Sequence, residues 1–434
     1  MAKIHNSDKT NFDDYFEEIN QMFQPDAAQK FVYLTGAAGT GKTTLVKKII
    51  EENDLKKIVV APTGIAALNI GGATINSAFR IGFDTFPVIT ESNDPRFKKL
   101  LRNLELLIID EISMVRAPML DAISETLKLH RNSDEPFGGI HILACGDLFQ
   151  LPPVVKEDEE QAIYEKYESI YFFSSKSFQE IENPSFYELT YSFRQSDDSN
   201  FYELLNNIRL GNDLDETINR INGACFNPSN YEESALIVTS RRYRADQINE
   251  EMLSTIDGPA TLAKAEELGE LKESELPAPR NLRIKEGAKV MFIKNDSEGR
   301  WVNGTVGKVI DCKDKKRKTI KVEVDGKTLS VKREEWNKIR YIYDDYDDEM
   351  EEEVVSSYRQ FPIKLGWAVT IHKAQGLTLE SCSIDLGQGA FATGQTYVAL
   401  SRCKTLGAVN LYQELKKTDA MVDSAIIDFH NKSF

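Results

Sequence analysis

Phe31-Val-Tyr-Leu-Thr-Gly36-Ala37-Ala38-Gly39-Thr40-Gly41-Lys42-Thr43-Thr44-Leu-Val-Lys-Lys-Ile-Ile50 decides how the rest of the chain is read. An apolar run, a glycine-rich octet of the form GxxxxGK[ST] and a helical pattern follow one another in the order a phosphate cradle requires. Glycines let backbone N–H groups turn inward onto anionic oxygens without a Cβ in the way. The helix adds its positive N-terminal end, and Lys42 a full charge suited to β- and γ-phosphates. The Thr43 hydroxyl is placed to hold Mg²⁺. The stretch from Gly36 to Thr44 therefore predicts a site for a nucleoside triphosphate with Mg²⁺.

Outward from this stretch, Lys57–Ala61, Leu106–Asp110 and Ile140–Cys145 read as further strands, and Gly64–Ile70 and Ala117–Leu129 as helices. Buried apolar strands alternating with helices indicate an α/β fold with a parallel, doubly wound sheet, whose sites lie at strand C-terminal ends. A second α/β pattern begins near Phe186, with Ala235–Val238, a helix through Arg242–Leu253, then Ile363–Thr370, Ser383–Leu386, Thr393–Leu400 and Val409–Leu411. Between its halves, residues 285–345 are short, β-rich and broken by turns such as Asp325-Gly326, which predicts a small inserted β-barrel.

At 434 residues with 41% apolar content, the chain is long enough for two to four domains. No apolar stretch approaches the ~20 residues that span a bilayer. The opening Met1-Ala-Lys-Ile-His-Asn-Ser lacks a secretory or transit pattern, so a soluble cytoplasmic protein without membrane contact is expected. Five scattered cysteines without a CxxC pair argue against disulfide or zinc frameworks. A net charge of −16 argues against coating nucleic acid through bulk charge, though not against a local basic channel. Part of that charge is the acidic run Asp344–Glu353, read as a solvated loop.

Chemistry is concentrated at a few further points. Leu106-Leu-Ile-Ile-Asp110-Glu111 ends an apolar strand in two carboxylates, the first suited to Mg²⁺ and the second to polarising an attacking water as general base. In Gly146-Asp-Leu-Phe-Gln150, Gln150 is read as orienting the lytic water or sensing the γ-phosphate. Arg194 and Arg402 in the second α/β region are either surface cations or arginine fingers reaching an interdomain cleft.

Taken together these segments resemble the Pif-type DNA helicases of superfamily 1, with RecD and Dda as more distant relatives. The match is carried by Ala61-Pro-Thr-Gly-Ile-Ala-Ala67, Gly71-Gly-Ala-Thr74, Asp110-Glu-Ile-Ser-Met114 and Gly146–Pro153. It continues through Leu189–Asp198, Leu204–Gly211, Trp367–Gly376 and Tyr397–Cys403. The resemblance implies two RecA-like motor domains: residues 1–185, with a wedge insertion at about 70–90, and residues 186–284 with 346–434. It further implies an SH3-like barrel at 285–345, and Gly376 beside the nucleotide. Single-stranded DNA would contact Thr63, Gly64 and Thr74 in the first domain and Thr239, His372 and Lys373 in the second. Phe79, Phe83 and Phe86 would supply a strand-separating wedge, or else an apolar plug. Lys313, Lys315, Lys316, Arg317 and Lys318 form a basic turn that either contacts DNA or is simply solvated.

Two departures stand out. Asn76 occupies a position where family members usually carry His, and the adenine-contacting glutamine is undecided between Gln21 and Gln29. The implied activity is an ATP-dependent 5′→3′ DNA helicase acting on single strands and single–double-strand junctions. G-quadruplexes and RNA–DNA hybrids are substrates known in the family, and repair, recombination and telomere maintenance are family roles. A bacterial or phage protein associated with the nucleoid is implied, as a monomer or a DNA-induced dimer. The alternatives are a protein-stripping translocase, a nucleotide-gated DNA clamp or loader, and an RNA helicase.

Overall fold

In the computed structural model, which describes residues 3–4, 12–24, 30–228, 235–273, 276–312, 319–344, 346 and 349–434, the N-terminal apolar runs become strands of one parallel sheet. The strands are β1 (Lys3–Ile4), β2 (Phe31–Gly36), β3 (Lys57–Ala61), β4 (Ala73–Thr74), β5 (Leu106–Ile109), β6 (His141–Cys145) and β7 (Ser185–Leu189). Their spatial order is β1-β7-β2-β6-β5-β3-β4, with every neighbouring pair parallel. β2, β5 and β6 are buried along their whole length. Burial along the whole length favours apolar side chains, which is why these strands read as apolar runs, with Thr35 and His141 as buried polar members of β2 and β6.

On one face, Tyr15, Phe16 and Ile19 of the helix Phe12–Met22 share a core with Leu45, Val46 and Ile49 of the helix Lys42–Glu52. Val32, Leu34, Ile108 and Leu143 of the sheet complete that core. The helix Ala117–Arg131 also buries a broad face, including Leu120, Ile123 and Leu127.

The chain divides into two compact units: Met1–Phe193 with Lys338–Val355 and Asp423–Phe434, and Arg194–Asn337 with Ser356–Val422. The boundary expected at 185/186 is instead reached at Phe193, because β7 ladders onto β2 from Val32↔Ser185 to Gly36↔Leu189. The C-terminal helix Ser424–Ser433, assigned from sequence to the second motor domain, packs in the first unit. Its Phe429 stacks on Phe173 with ring centroids 4.3 Å apart and meets Phe172 and Phe186 edge-on. Residues 338–355 also belong to this unit through buried tyrosines. The Tyr341 hydroxyl donates to Val59 O (3.3 Å) and accepts from Val59 N–H (3.2 Å), while Lys56 Nζ donates to the Tyr343 hydroxyl at 2.9 Å.

The second unit contains a parallel sheet of Ala368–Thr370, Leu236–Thr239, Cys382–Asp385 and Val409–Leu411, in that order. The β-rich insertion forms a five-stranded antiparallel sheet ordered Lys327–Val331, Ile320–Val324, Val306–Asp311, Lys289–Phe292 and Ile363–Leu365. Its two outer strands do not pair with each other among the described residues, so the expected barrel is an open sheet. Val290, Val309 and Val322 share one core with Ile237, Ala245 and Ile248 of the parallel-sheet layer. An insertion that borrows its core in this way has no need to close on itself. Among the described residues no helix is long and apolar enough to cross a membrane.

Candidate functional site

β2 ends at Gly36, and its loop wraps around the start of the helix Lys42–Glu52. A Cβ on Gly36, whose φ is +149°, would fall 2.6 Å from Leu189 O and 2.8 Å from Thr40 Oγ1, so the turn admits only glycine. Gly41 caps the helix at φ +88°, a left-handed conformation that again favours glycine. Thr40 Oγ1 donates to Ala37 O at 2.9 Å, and Gly39 O accepts from Phe193 N–H at 3.0 Å. Lys42 Nζ donates to Gly36 O (2.8 Å) and Ala37 O (3.0 Å), which holds the ammonium over the mouth of the loop. Ala37 and Ala38 are buried, while Thr43 and Thr44 are exposed on the first helical turn.

β3 and β5 bring the carboxylates to the same edge of the sheet. Asp110 N–H donates to Val60 O, and the side chain is buried. Burial pushes the Asp110 carboxyl above its usual range, and the nearby Lys42 charge pulls the other way. Glu111 adopts φ +51° and starts the short turn Ile112–Met114. The Ser113 Oγ in that turn is buried without a protein partner. Gly146, at the end of β6, packs so closely that a Cβ would lie 3.0 Å from Ile112 Cγ2 and 3.2 Å from Ser113 N. The loop after β6 is thereby pressed against the acidic pair's turn. In it, Gln150 Nε2 donates to Asp147 Oδ2 at 3.2 Å.

The first-unit residues assigned to DNA lie on the rims of short helices. Thr63 is exposed and caps the helix Gly64–Ile70 through Ala66 N–H, and Thr74 caps Ile75–Phe79 through Ser77 N–H. Asn76, in place of the expected His, donates to Ile81 O and Gly82 O at 3.0 Å each and pins the following turn. Of the three wedge candidates Phe83 is the most exposed, at 66%. Phe79 is 2% exposed, a core residue at the end of its helix rather than a wedge surface, and Phe86 lies under the Lys166 ammonium at 3.9 Å. Gln21 is exposed, whereas Gln29 and the basic turn 313–318 lie outside the described residues. Sequence reasoning passed over Phe12 and Phe193, whose rings would each lie 3.4 Å from a Cβ on Gly41. Their signal was only an aromatic residue beside a motif.

In the second unit, His372 and Lys373 are exposed on the turn Ile371–Ala374. Gly376 is exposed at φ +80°, with open space where a Cβ would lie. Thr239, expected at DNA, is 1% exposed and turns its hydroxyl onto Arg241 O at 3.0 Å. Arg194 donates to Thr378 Oγ1 and Ser401 O, both at 3.0 Å. Arg402 is 1% exposed, and its guanidinium donates to Val398 O (2.7 Å), Ser401 Oγ (2.7 Å), Ala374 O (3.3 Å) and Leu377 O (3.4 Å). In this structure the guanidinium read as a finger serves as an internal strut, donating to carbonyls at helix ends and to the Ser401 hydroxyl.

A phosphate loop, a strand-end acid pair and a glutamine loop on one parallel sheet invite comparison with known motor proteins. Residues 9–219 match the family described as PIF1-like helicase. The Pif1 helicase of Campylobacter jejuni is 30% identical over 441 residues, covering 92% of this chain and 94% of that protein. The chain belongs to the PIF1-like helicase family. Mouse PIF1 is 31% identical over 412 residues, and this PIF1-like chain covers 60% of its length. Among solved structures, Bacteroides sp Pif1 in complex with ADP-AlF4 is 34% identical, with a TM-score of 0.88 over 98% of this chain and 97% of that one. A Bacteroides Pif1 bound to single-stranded DNA, 34% identical, superposes with a TM-score of 0.69.

The donor set fits a magnesium nucleotide. No group of three or more His, Cys, Asp or Glu residues able to hold a metal occurs among the described residues. One hydroxyl at Thr43 and one carboxylate at Asp110 suit an ion that keeps most of its ligands as water and substrate phosphate. Lys42 resting on loop carbonyls, and the orphaned Ser113 hydroxyl, are polar groups whose remaining partners a bound nucleotide and its water would supply.

Proposed function

We propose that this PIF1-like chain is an ATP-dependent DNA helicase that moves 5′→3′ on single strands and opens duplex ahead of it. The observation that carries this reading is the convergence of the Gly36–Thr44 loop, Asp110–Glu111 and Gln150 at the C-terminal ends of β2, β5 and β6. Lys42 and the loop amides bind the phosphates of ATP. Thr43 and Asp110 hold Mg²⁺, which supplies charge neutralisation when bound. Glu111 accepts the proton of the attacking water, and Gln150 orients that water or senses the γ-phosphate. Thr63, Gly64, His372 and Lys373 contact the sugar–phosphate backbone without reading bases, the grip a translocating protein requires. The single-stranded DNA complex of the Bacteroides relative supports the choice of ligand.

Separating one base-pair step costs about 1.4 kcal/mol on average, so modest conformational work per nucleotide suffices. The test is strand separation with Mg²⁺–ATP on duplexes bearing a 5′ or a 3′ single-stranded tail. Unwinding from the 5′ tail alone is expected. Unwinding from the 3′ tail overturns the polarity. ATPase stimulated by single strands without unwinding on either substrate supports the protein-stripping translocase instead.

A further inference from the structure

Three neighbouring strands of the second unit's parallel sheet end at one edge. Ala368–Thr370, Leu236–Thr239 and Cys382–Asp385 lie side by side and run the same way, so the loops after them share a rim. His372 and Lys373 occupy the first of these loops. The second carries Arg241 and leads into the helix Arg242–Thr255, and the third runs from Leu386 to Gly394.

The second and third loops are tied together. Ser240 Oγ donates to Leu386 O at 3.0 Å, and Arg244 Nε donates to Asp385 Oδ2 at 3.2 Å. Within the third loop, Gly387 N–H donates to Asp385 Oδ1 (3.0 Å), Ala390 N–H to Asp419 Oδ1 (3.0 Å) and Phe391 N–H to Gln395 Oε1 (3.1 Å). Gly389 has φ +115°, and a Cβ there would fall 2.7 Å from the same Asp419 oxygen. This pinned loop nevertheless leaves the Phe391 ring 50% exposed. Arg241 sets its guanidinium over that ring, 4.7 Å from the centroid, while its neighbours Arg242 and Arg244 turn to Asp246 and Asp385. The Arg241 carbonyl in turn accepts from the buried Thr239 hydroxyl.

A lone exposed phenylalanine needs no explanation. This ring is held on a fixed loop, with a guanidinium over one face and a histidine and a lysine on the same sheet edge. That is the chemistry of single-strand binding, a π-face for a base and cations for the backbone. Every base offers a π-face, so such a contact tolerates any sequence, as translocation requires.

We propose that Phe391 is a base-stacking platform for single-stranded DNA in the second unit, with Arg241 holding the ring and meeting an adjacent phosphate. The platform adds a grip on the bases to the backbone contacts at His372 and Lys373. This inference rests on the DNA reading above.

The test measures affinity by fluorescence anisotropy for an oligothymidylate and for an abasic strand of the same length, which keeps the phosphates and removes the bases. The unsubstituted chain should bind the oligothymidylate more tightly. Phe391→Ala should weaken that binding by about 5- to 150-fold, the range for one base stacked on an aromatic side chain, and change abasic-strand affinity by less than about twofold. Phe391→Leu, which keeps apolar bulk without a π-face, should behave like alanine, and Phe391→Trp should retain the preference. Arg241→Met should lower the slope of log affinity against log salt by about 0.7 on both strands, the share of one phosphate contact.

Equal losses on both strands in Phe391→Ala would mean a structural role and overturn the inference, as would no loss on either. An unchanged salt slope in Arg241→Met would overturn the phosphate contact. Should Phe391→Ala not fold, Phe391→Leu decides by the same comparison. Equal affinity of the unsubstituted chain for both strands overturns the platform and leaves the DNA reading intact, whereas binding to neither strand sinks that reading and the inference with it.

Discussion

Replacing Arg402 by Met separates a catalytic finger from an internal strut. The side chain is 1% exposed, and methionine keeps much of its aliphatic bulk while removing the guanidinium. Its hydrogen bonds to Val398 O and Ser401 Oγ are short at 2.7 Å, while those to Ala374 O and Leu377 O are long at 3.3 and 3.4 Å. Val398 O keeps the Ser401 hydroxyl as a donor (3.1 Å), and Ala374 O keeps Leu377 N–H (3.0 Å). The loss is therefore dominated by two charge-assisted bonds, about 1.5–3 kcal/mol each. Relief from burying a guanidinium offsets part of this, leaving a net destabilisation of about 2–4 kcal/mol. Trp301, Trp336 and Trp367 are all the tryptophans of the chain, and all lie in the second unit. Intrinsic fluorescence during urea unfolding thus reports that unit directly. The expected result is a lower midpoint in Arg402→Met, with weakened DNA binding as well as weakened hydrolysis. An unchanged midpoint together with lost hydrolysis and intact DNA binding would refute the strut and restore the finger.

Phe79→Ala should destabilise the first unit by about 3–5 kcal/mol, as for other buried phenylalanines, whereas Phe83→Ala should leave thermal unfolding unchanged and impair strand separation. Equal melting of the two variants would contradict the burial of Phe79. Lys42→Ala should lower turnover at least about a hundredfold while single-strand binding persists, and turnover surviving the change would displace the phosphate site from this loop. Burial and the nearby Lys373 lower the Lys364 ammonium to about 7. The unfolded chain, with an ordinary lysine pKa of about 10.4, binds more protons between those values, so this group makes stability rise with pH from about 7 upward. The stability difference between the unsubstituted chain and Lys364→Met, measured by urea unfolding from pH 6 to 9.5, should grow in favour of lysine above pH 7. A flat difference would place Lys364 in ordinary solvent.

Where the sequence was legible, one local rule governed. Residues 31–50 form a strand, a glycine turn and a helix because each depends on its own neighbours, and the octet lies where it was read. Asp110 follows β5 for the same reason. Arg402 and Thr239 were read by motif position alone, and their burial depends on helix ends and turns that carry no pattern in the sequence around them. The wedge candidates were grouped by composition, yet the last turn of a helix buries Phe79 while the loop beyond it exposes Phe83.

By itself the sequence determined the α/β class, the phosphate loop, the carboxylates at a strand end and the family, since periodicity and short motifs are local properties of the chain. Tertiary structure alone decided that the C-terminal helix returns to the first unit on Phe429 and that the β-rich insertion stays open over a shared core. Each of these depends on which distant surfaces meet. Apolar burial and hydrogen-bond satisfaction are settled between residues far apart in sequence, where no local pattern records the partner.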